Sequence, residues 1–424
     1  MRILGIDIGS SSVKAVVLND GRPMGQPLRM AYTTRHEGAK VEVDTDSLLP
    51  VVAKTASQVA AGSAIDAVAL SVMSPAWVAM DSAGRAITPI VTHQDRRSIE
   101  QARQIEAKVG REQHLQLCGN RPIPGGISST TYAWFKPQLN RADLIGHLNT
   151  LLIRQWTAAR AIDPGNASFT GLYSTLDQSG WSDELCAAVG ISKSLLPDVL
   201  ESDRIAGYLT ASAAAQLGVA EGTPVFTGAV DTSAAMFATG ARIGQLFHMC
   251  GSTDVLALCT DRPVPHERLI TRALGIGRKW MSVSTIAAAG SSLDWMRRQF
   301  FREIAEGDFY QMAAKSRASE VKFDPYLAGD RMSIEQCQAA FSGLTLATTR
   351  EDMFAAVVSA LSDASSARLK LLSKNALPTV FISGGGAILA DLMHRGWPAE
   401  WSYTEIDEAS LRGLGTLTIG SNSR

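Results

Sequence analysis

Aspartate, glycine and serine residues near the start of this chain have the types and spacing of a phosphate site. In LGIDIGSSSVKAVVL, an apolar strand ends at Asp7. The turn that follows contains one glycine and three serines: Gly9, Ser10, Ser11 and Ser12. Glycine allows a tight turn in which successive backbone N–H groups point at one anion, and serine hydroxyls add donors. Asp7 could hold Mg²⁺ beside the phosphate through water, and Lys14 could add positive charge. A polar hairpin turn without a ligand is the alternative interpretation.

A second aspartate, in the later half of the chain, has similar neighbours. GAVDTSAAMFATG places Asp231 among small residues, which leave room for a ligand at the carboxylate. An aspartate that caps the following helix fits the same segment. The segment CGSTDVLAL then repeats the glycine and hydroxyl pattern as a candidate second phosphate turn: Gly251, Ser252 and Thr253.

Two further glycine segments could contribute to a nucleotide site. AAAGSSLDWM places Gly290 before an amphipathic helix, where an ordinary helix start is the alternative interpretation. In ISGGGA, a strand runs into three glycines that could let a flat base approach the backbone: Gly384, Gly385 and Gly386. A flexible loop fits these last residues equally well.

Strand-like and helix-like segments alternate along the chain, which is typical of an α/β fold. The first two strands are followed by a helical pattern from Ser47 and another strand from Ile65. TPVFTGAVDTSAAMFATGA, from Thr223, repeats the opening order of strand, acid, hydroxyl residues and glycine. We therefore predict that this segment opens a second half of related design, with a cleft between the halves. The predicted domains are residues 1–226 and residues 227–424.

Composition argues against several kinds of partner. The chain has 40 Lys and Arg against 41 Asp and Glu, so we expect neither nucleic acid nor a membrane surface as a partner. The five cysteines are widely spaced, which argues against a disulfide framework or structural zinc and fits a reducing compartment. The amino terminus enters a strand directly, and no segment has the roughly 18 apolar residues of a membrane span. We expect a cytoplasmic protein.

A series of segments, in the family's order, gives the chain a resemblance to the FGGY carbohydrate kinases. The main ones are GIDIGSSSVKAVV, MDSAGRAITPIVTHQDRRS, IDPGNASFTGLYSTLDQSGWSDEL, GTPVFTGAVDTSAAMFATG, CGSTDVLAL, AAAGSSLDWM and ISGGGA. They extend over nearly the whole chain. The resemblance implies two ribonuclease-H-like domains of the actin-like ATPase superfold, which close over ATP and a sugar or polyol in a catalytic cleft.

The resemblance also assigns roles to single residues. Asp231 matches the catalytic base, and Asp7 matches the metal-associated aspartate. The residues that match or adjoin the nucleotide site are Gly9, Ser10, Ser11, Ser12, Lys14, Gly251, Ser252, Thr253, Gly290, Gly385, Gly386 and Ala387. The implied cofactors are ATP and Mg²⁺.

The sugar pocket is where the chain departs from its relatives. Ser74 and Pro75 stand where xylulokinase-like members have a Met-His pair. Because proline has no side-chain donor or acceptor, this wall must recognise its substrate differently, with Ser74 or with Trp77 packed nearby. A core position is the alternative for Trp77. Asp95, in a match to the family's Asp-x-Arg, could receive sugar hydroxyls or pair internally with Arg97.

The predicted function is transfer of the γ-phosphoryl group of ATP to a hydroxyl of a sugar or polyol, with a ketopentose such as xylulose as the acceptor. Two alternatives stay open: a nucleotide-binding sensor or scaffold of the same superfold, and a kinase of glycerol or another polyol. Asp231 favours an enzyme, because a scaffold has no need of a base. The expected partner is the small sugar or polyol substrate, and formation of a homodimer is left open.

Overall fold

Short strands and helices alternate through most of the structure, a computed structural model that describes residues 1–315, 320–384 and 387–420. The strands are β1 (Arg2–Ile8), β2 (Ser12–Asn19), β3 (Arg22–Pro23), β4 (Leu28–Ala31), β5 (Arg35–Glu37), β6 (Lys40–Val43), β7 (Ala67–Val72), β8 (Ala76–Met80), β9 (Ile90–Thr92), β10 (Leu144–His147), β11 (Ala161–Ile162), β12 (Asp198–Val199), β13 (Ile205–Tyr208), β14 (Pro224–Phe226), β15 (Ala229–Val230), β16 (Leu246–Cys250), β17 (Asp254–Thr260), β18 (Ile270–Ala273), β19 (Trp280–Ile286), β20 (Lys322–Asp324), β21 (Ala340–Ser342), β22 (Thr379–Ser383) and β23 (Ser402–Glu405). The helices are α1 (Thr45–Ala60), α2 (Ile99–Val109), α3 (Arg111–Cys118), α4 (Ser129–Phe135), α5 (Leu148–Thr157), α6 (Pro164–Phe169), α7 (Asp183–Val189), α8 (Ala211–Leu217), α9 (Asp231–Ala238), α10 (Gly290–Phe300), α11 (Glu306–Lys315), α12 (Arg350–Leu372), α13 (Ala387–Met393) and α14 (Ala409–Gly420).

The chain divides into two compact units. The first unit comprises Met1–Arg242, Cys259–Met281 and Glu408–Arg424, and the second comprises Ile243–Leu258 and Ser282–Asp407. The boundary predicted after residue 226 therefore lies within the first unit, and the chain crosses between the units more than once.

The first unit is built around an eight-stranded mixed sheet. Its strands run in the order β13-β14-β7-β1-β2-β3, while β15 also pairs with β7 and β4 with β2. The strands β1 and β2 form the predicted antiparallel hairpin, in which Asp7 lies opposite Lys14. The core beneath this sheet joins apolar residues of β1 and β7 to the buried face of α1, which starts at Thr45 after its N-cap Asp44. The two expected strands, the helix and the strand after it are present as β1, β2, α1 and β7, but the four short strands β3 to β6, which the sequence did not indicate, lie between β2 and α1.

The strands β14 and β15 belong to this same sheet. Both pair in parallel with β7, with Val225 opposite Val68 and Ala229 opposite Ser71. The expectation that their segment opens the second half is therefore wrong. Both strands pair with the edge of β7 that β1 leaves free, and this pairing keeps the segment in the first unit. Asp231 begins the helix that follows β15 and so belongs to the first unit.

A second sheet in the first unit has five strands in the order β10-β8-β9-β6-β5. All of its pairings are antiparallel. It contributes Trp77 to a separate apolar cluster with the aromatic residues Tyr132 and Phe135 of α4. Because β8 and β9 belong to this sheet, it fixes the position of the chain just after β7, which includes Trp77, and just after β9, which includes Asp95.

The last helix, α14, returns to the first unit and packs against α9 and β1. At the closest point a Cβ atom on Gly413 would lie 1.6 Å from the backbone oxygen of Ala234. Only glycine fits there, because any side chain would overlap the backbone of α9. The contact supports the helix whose first residue is Asp231.

The second unit repeats the central arrangement of the first. Its main sheet includes β19, β17, β16, β22 and β23 in that order, and β16 and β17 form an antiparallel hairpin. The strand β22 pairs with β16 in parallel, as β7 pairs with β1. The longest helix, α12, begins with a capping box between Thr349 and Asp352. Within the described ranges, no helix is both long and apolar enough to cross a membrane.

Candidate active site

Three parallel strands of the first unit bring polar residues to one edge of the sheet. The strands β1 and β15 each pair in parallel with β7, which places Asp7 and Ala229 opposite the same residue, Ser71. Carboxyl ends of parallel strands meet at one edge, where α/β proteins bind their ligands. Asp7 near the end of β1, Ser74 just beyond β7 and Asp231 just beyond β15 therefore lie at the same edge.

Asp7 is a buried carboxylate with little compensation. It is 7% exposed, and the Ser71 hydroxyl donates to its Oδ1 over 2.5 Å. Burial raises the pKa of Asp7, against the hydrogen bond from Ser71 and the charge of Lys14. The Lys14 ammonium is itself paired with Glu408, at 2.6 Å between Nζ and Oε2. Lys14 thus shares its charge with a second carboxylate, which the sequence did not indicate.

The first turn is held by donors to its backbone oxygens. The Gly9 N–H donates to Ser12 O over 3.1 Å, and the Tyr32 N–H donates to Ser11 O over 3.2 Å. The Thr34 hydroxyl donates to Ser10 O over 3.0 Å, and the Tyr32 hydroxyl donates to Gly9 O. With its carbonyl groups occupied by protein donors, the turn leaves the side chains of Ser10 and Ser11 exposed.

A cavity of about 310 Å³ lies beside this turn. Its lining residues are Ser10, Ser11, Tyr32, Thr34, His36, Thr92, His93 and Gln94. Sequence reasoning did not assign six of these eight residues to the site, because none of the six is a glycine or an acidic residue, the types by which it chose candidates. The hydroxyl, imidazole and amide groups of the lining suit a polar ligand next to the first turn.

Asp231 is a partly exposed carboxylate at the first position of α9. The N-cap of this helix is Val230, so Asp231 is not the capping residue that the alternative interpretation described. The Thr232 N–H donates to its Oδ1 over 2.6 Å. Burial and the nearby charge of Asp7 raise the pKa of Asp231 to about 6, while Arg272 acts in the opposite direction.

Arg272 is a fully buried arginine that sequence reasoning missed. It donates to the Thr232 hydroxyl over 2.6 Å and to the hydroxyl of Ser233. Burial lowers the pKa of Arg272 to about 10, and the charges of Asp231 and Asp163 act against that shift. The guanidinium group is thus the countercharge to the carboxylates of Asp231 and Asp163. No local sequence pattern signals this role, because Arg272 is distant in the chain from both acids.

Ser74 forms part of the same sheet edge, whereas Trp77 and Asp95 are turned inward. Trp77 is 2% exposed and stacks on Phe135, with ring centroids 5.1 Å apart. Asp95 is 1% exposed, accepts from the Val41 N–H over 2.8 Å and pairs with Arg97 over 2.6 Å. Trp77 is therefore a core residue, and Asp95 forms an internal pair with Arg97, as the alternative interpretations of these two positions stated.

The second turn, in the second unit, is held by the start of α10. The N–H of Gly290 donates to Gly251 O over 3.0 Å, and that of Ala289 to Ser252 O over 2.9 Å. A Cβ atom on Gly290 would lie 2.9 Å from Gly251 O, so this close approach requires glycine. The structure thus brings Gly290 together with Gly251, Ser252 and Thr253. Gly385 and Gly386 lie outside the described residues, and Ala387 is the first residue of α13.

A buried charged cluster lies behind the second turn. Asp254 accepts from Arg368 and lies 2.5 Å from His248, whose other ring nitrogen is 2.8 Å from His394. Burial opposes ionisation, but His248 and Arg368 together hold the pKa of Asp254 well below its usual range. His248, Cys250 and Asp254 place possible metal ligands within 4.8 Å of one another. Because both oxygens of Asp254 already have partners, the cluster is best explained as structural.

Comparison with known proteins finds one family over both the N-terminal and the C-terminal part of the chain. Family models of the N-terminal and C-terminal domains of the FGGY family of carbohydrate kinases match residues 2–238 and 246–395. A xylulose kinase of Staphylococcus xylosus is 22% identical over 404 residues, covering 91% of this chain and 83% of the relative. A gluconokinase of Bacillus subtilis is 24% identical over 382 residues, covering 84% of this chain and 74% of the relative. The crystal structure of a ligand-bound xylulose kinase from Lactobacillus acidophilus superposes with a TM-score of 0.88 at 17% identity, covering 100% and 89% of the two chains.

Proposed function

Because the chain belongs to the FGGY family of carbohydrate kinases, we propose that it transfers the γ-phosphoryl group of ATP to a hydroxyl of D-xylulose or a similar open-chain sugar. Family membership makes it an ATP-dependent enzyme that phosphorylates a sugar hydroxyl. The names of several relatives support a ketopentose as acceptor. One observation carries the assignment of the site: Asp231 presents a carboxylate of raised pKa at the sheet edge that also holds Asp7.

Asp231 is the proposed general base. A base must be ionised to take the proton from the sugar hydroxyl, and catalysis is best when its pKa lies near the working pH. A pKa of about 6 keeps Asp231 mostly ionised at pH 7 and makes it a stronger base than an ordinary aspartate. Arg272, held by Thr232 and Ser233, keeps this pKa from rising further.

Asp7 is the proposed Mg²⁺ residue. Its carboxylate is buried and its pKa is raised, so a cation at this position would relieve an unfavourable charge. Oxygen donors are the ligands that Mg²⁺ prefers, and a single carboxylate that acts through water suits this ion. When bound, Mg²⁺ neutralises charge on the phosphate groups that react. The fit depends on Asp7 keeping its charge, which the hydrogen bond from Ser71 favours.

The two turns are the proposed phosphate sites. The first turn, in the first unit, offers the exposed hydroxyls of Ser10 and Ser11. The second turn, in the second unit, offers Ser252 and Thr253. This proposal places the base, the first turn and the acceptor site in the first unit, with the second turn and the adenosine site in the second. The acceptor site includes Ser74 and Pro75 but omits the inward-facing Trp77 and Asp95.

An acceptor panel tests the proposal. ADP release should be measured with ATP and Mg²⁺ alone and then with D-xylulose, D-gluconate, glycerol and other ketoses and polyols. We expect at least one open-chain sugar to raise ADP release well above the rate without acceptor, with D-xylulose among the best. If no acceptor does so, a nucleotide-binding scaffold replaces the kinase.

The variant Asp231→Asn separates catalysis from binding. Loss of the base should lower sugar phosphorylation by at least about a hundredfold, while ATP binding stays near that of the unmodified protein. Asp198→Asn, which changes an exposed aspartate of the same unit, is the matched control and should keep full activity. An Asp231→Asn protein with unchanged turnover would rule out the assignment of the base.

A further inference from the structure

A chain of buried hydrogen bonds lies behind Ser74. The Ser74 hydroxyl contacts Oδ1 of Asn166, which also lies 3.1 Å from Nδ1 of His147. The other ring nitrogen of His147 lies 2.9 Å from the hydroxyl of Ser128. Ser74 is partly exposed, whereas the other three side chains are buried, so Ser74 is the member that faces outward.

Asp163 fixes the orientation of the Asn166 amide. This fully buried aspartate is the N-cap of α6, and its Oδ2 accepts from the Asn166 N–H over 3.0 Å. Its Oδ1 accepts from the side-chain amides of Asn166 over 2.5 Å and Asn149 over 3.0 Å. Burial raises the pKa of Asp163 to about 6, so at pH 7 the group is mostly ionised and its oxygens accept hydrogen bonds. The NH₂ group of Asn166 must therefore face Asp163, which leaves Oδ1 facing Ser74 and His147.

His147 completes the directions of the bonds. Burial lowers the pKa of His147 to about 4, so the ring is neutral at pH 7 and carries one N–H group. Since Oδ1 of Asn166 can only accept, the proton of His147 lies on Nδ1, and its Nε2 accepts from the Ser128 hydroxyl. The two lone pairs of the Asn166 oxygen are then occupied by His147 and Ser74.

We propose that Asn166 and His147 hold Ser74 as an obligate hydrogen-bond acceptor, so that this wall selects a sugar hydroxyl and disfavours a carboxylate or carbonyl oxygen. A hydroxyl has one proton, and that of Ser74 is directed to Asn166. Only lone pairs remain for the substrate, and they repel an oxygen that cannot donate. The adjacent Pro75 side chain offers no competing donor. The inference rests on the proposed function and deepens it, because it specifies the chemical group that the acceptor places at Ser74.

Monodeoxy and monofluoro analogues test the direction of this bond. The probes are the parent sugar with the highest kcat/KM in the acceptor panel and its analogues at each hydroxyl that is not phosphorylated. Fluorine cannot donate, so at one position both analogues should lose about tenfold in kcat/KM, the value of one neutral hydrogen bond. At that position the fluoro analogue should be no better than the deoxy analogue, because fluorine would face lone pairs of Ser74.

Two variants assign the effect to the network. Ser74→Ala should lower kcat/KM for the parent sugar by about tenfold. Within this variant, the two analogues should have nearly the same kcat/KM as the parent sugar, because the hydrogen bond that distinguished them is gone. Ser74 is partly exposed, so this variant keeps the fold. Asn166→Ala frees the Ser74 hydroxyl to donate, and the fluoro analogue should then become several-fold better than the deoxy analogue. The control is Ser182→Ala, which removes the N-cap side chain of α7 in the same unit. Its ratios of kcat/KM between the parent sugar and the analogues should equal those of the unmodified protein.

The outcomes distinguish this inference from the function on which it rests. A protein that phosphorylates no parent sugar overturns both. If the parent is phosphorylated but no position discriminates, or if Ser74→Ala keeps the full discrimination, the proposed role of Ser74 is wrong while the kinase stands. If Asn166→Ala folds and leaves the ranking of fluoro and deoxy analogues unchanged, the positioning role of Asn166 is wrong.

Discussion

The two candidate phosphate turns each have a buried aspartate beside them, but the two carboxylates have opposite surroundings. Asp7, before the first turn, accepts from Ser71, and its neighbour Lys14 is shared with Glu408. Asp254, after the second turn, is bonded to both His248 and Arg368. The pKa of the first is raised by burial, whereas that of the second is lowered by its partners despite burial.

The difference between the two pKa shifts indicates that Asp7 is available to bind a ligand, whereas Asp254 supports the structure around it. A buried charge without a close partner is unfavourable in the fold but attracts a cation or a proton. A buried charge with two partners holds its neighbours in place and has little left to offer a ligand. We therefore place metal binding at Asp7 and positioning of the second turn at Asp254. Variants of the two clusters should behave in opposite ways.

The largest expected effect is loss of stability when Arg368 is removed. Arg368→Met leaves Asp254 with one of its two partners, and breaking a buried pair in this way costs about 3–5 kcal/mol. Urea unfolding should show this decrease in the free energy of unfolding. Lys370→Met, at an exposed position of the same helix, is the control and should change little. Equal stability of the two variants would contradict the structural role of the Asp254 cluster.

Asp7→Asn should show the opposite combination, with activity lost and stability gained. The amide keeps an acceptor for Ser71 but removes the charge that would hold Mg²⁺. Loss of metal stabilisation of the phosphate charge should lower kcat/KM by at least about a hundredfold. In EDTA at pH 7 the variant should unfold at a higher temperature than the unmodified protein. A variant that retains normal Mg²⁺-dependent turnover would contradict the role of Asp7.

The pH dependence of stability gives an independent check on Asp7. Its folded-state pKa is raised above the ordinary value of 3.8, so the folded state holds the proton more tightly than the unfolded state. The stability contributed by this group is present below pH 3.8 and is lost as pH rises through the raised pKa. In EDTA, the advantage of Asp7→Asn should therefore be largest at neutral pH and shrink towards pH 4.

The sequence was sufficient for the parts of the fold that depend on local pattern. The apolar run before Asp7 predicted β1, and the small residues around Gly251 predicted a turn between strands, because both signals lie within a few neighbouring residues. The pairing of β15 with β7 was not predictable in this way. It depends on which strand edge is free in the assembled sheet, and it moved Asp231 from the expected second domain into the first unit.

The site was harder to predict wherever the partner of a side chain is distant in sequence. Asp95 and Trp77 had two interpretations each, and only the packed structure shows that both are turned inward. Arg272, which compensates Asp231 across the fold, could not be found from spacing at all. Asp163 lies in IDPGNASFTGLYSTLDQSGWSDEL, which was used only for the family resemblance, so neither its N-cap role nor its connection to Ser74 was predicted.

The smallest expected effect concerns how the two turns are held. The first turn depends on side chains as well as on the backbone, since the Tyr32 hydroxyl donates to Gly9 O and lies 3.7 Å from the sulfur of Met73. The second depends mainly on the backbone, because Ser252 O accepts from the N–H of Ala289 over 2.9 Å as well as from the Ser291 hydroxyl over 3.0 Å.

Tyr32→Phe should therefore raise the KM for ATP by about threefold to tenfold, the value of one neutral hydrogen bond, with little change in kcat. Ser291→Ala removes one donor from an oxygen that keeps backbone donors, so its KM should stay within about twofold of the unmodified protein. Steady-state kinetics with ATP varied at saturating sugar measures both. If Ser291→Ala were the more harmful substitution, the second turn would depend on its side chains and the distinction between the two turns would not hold.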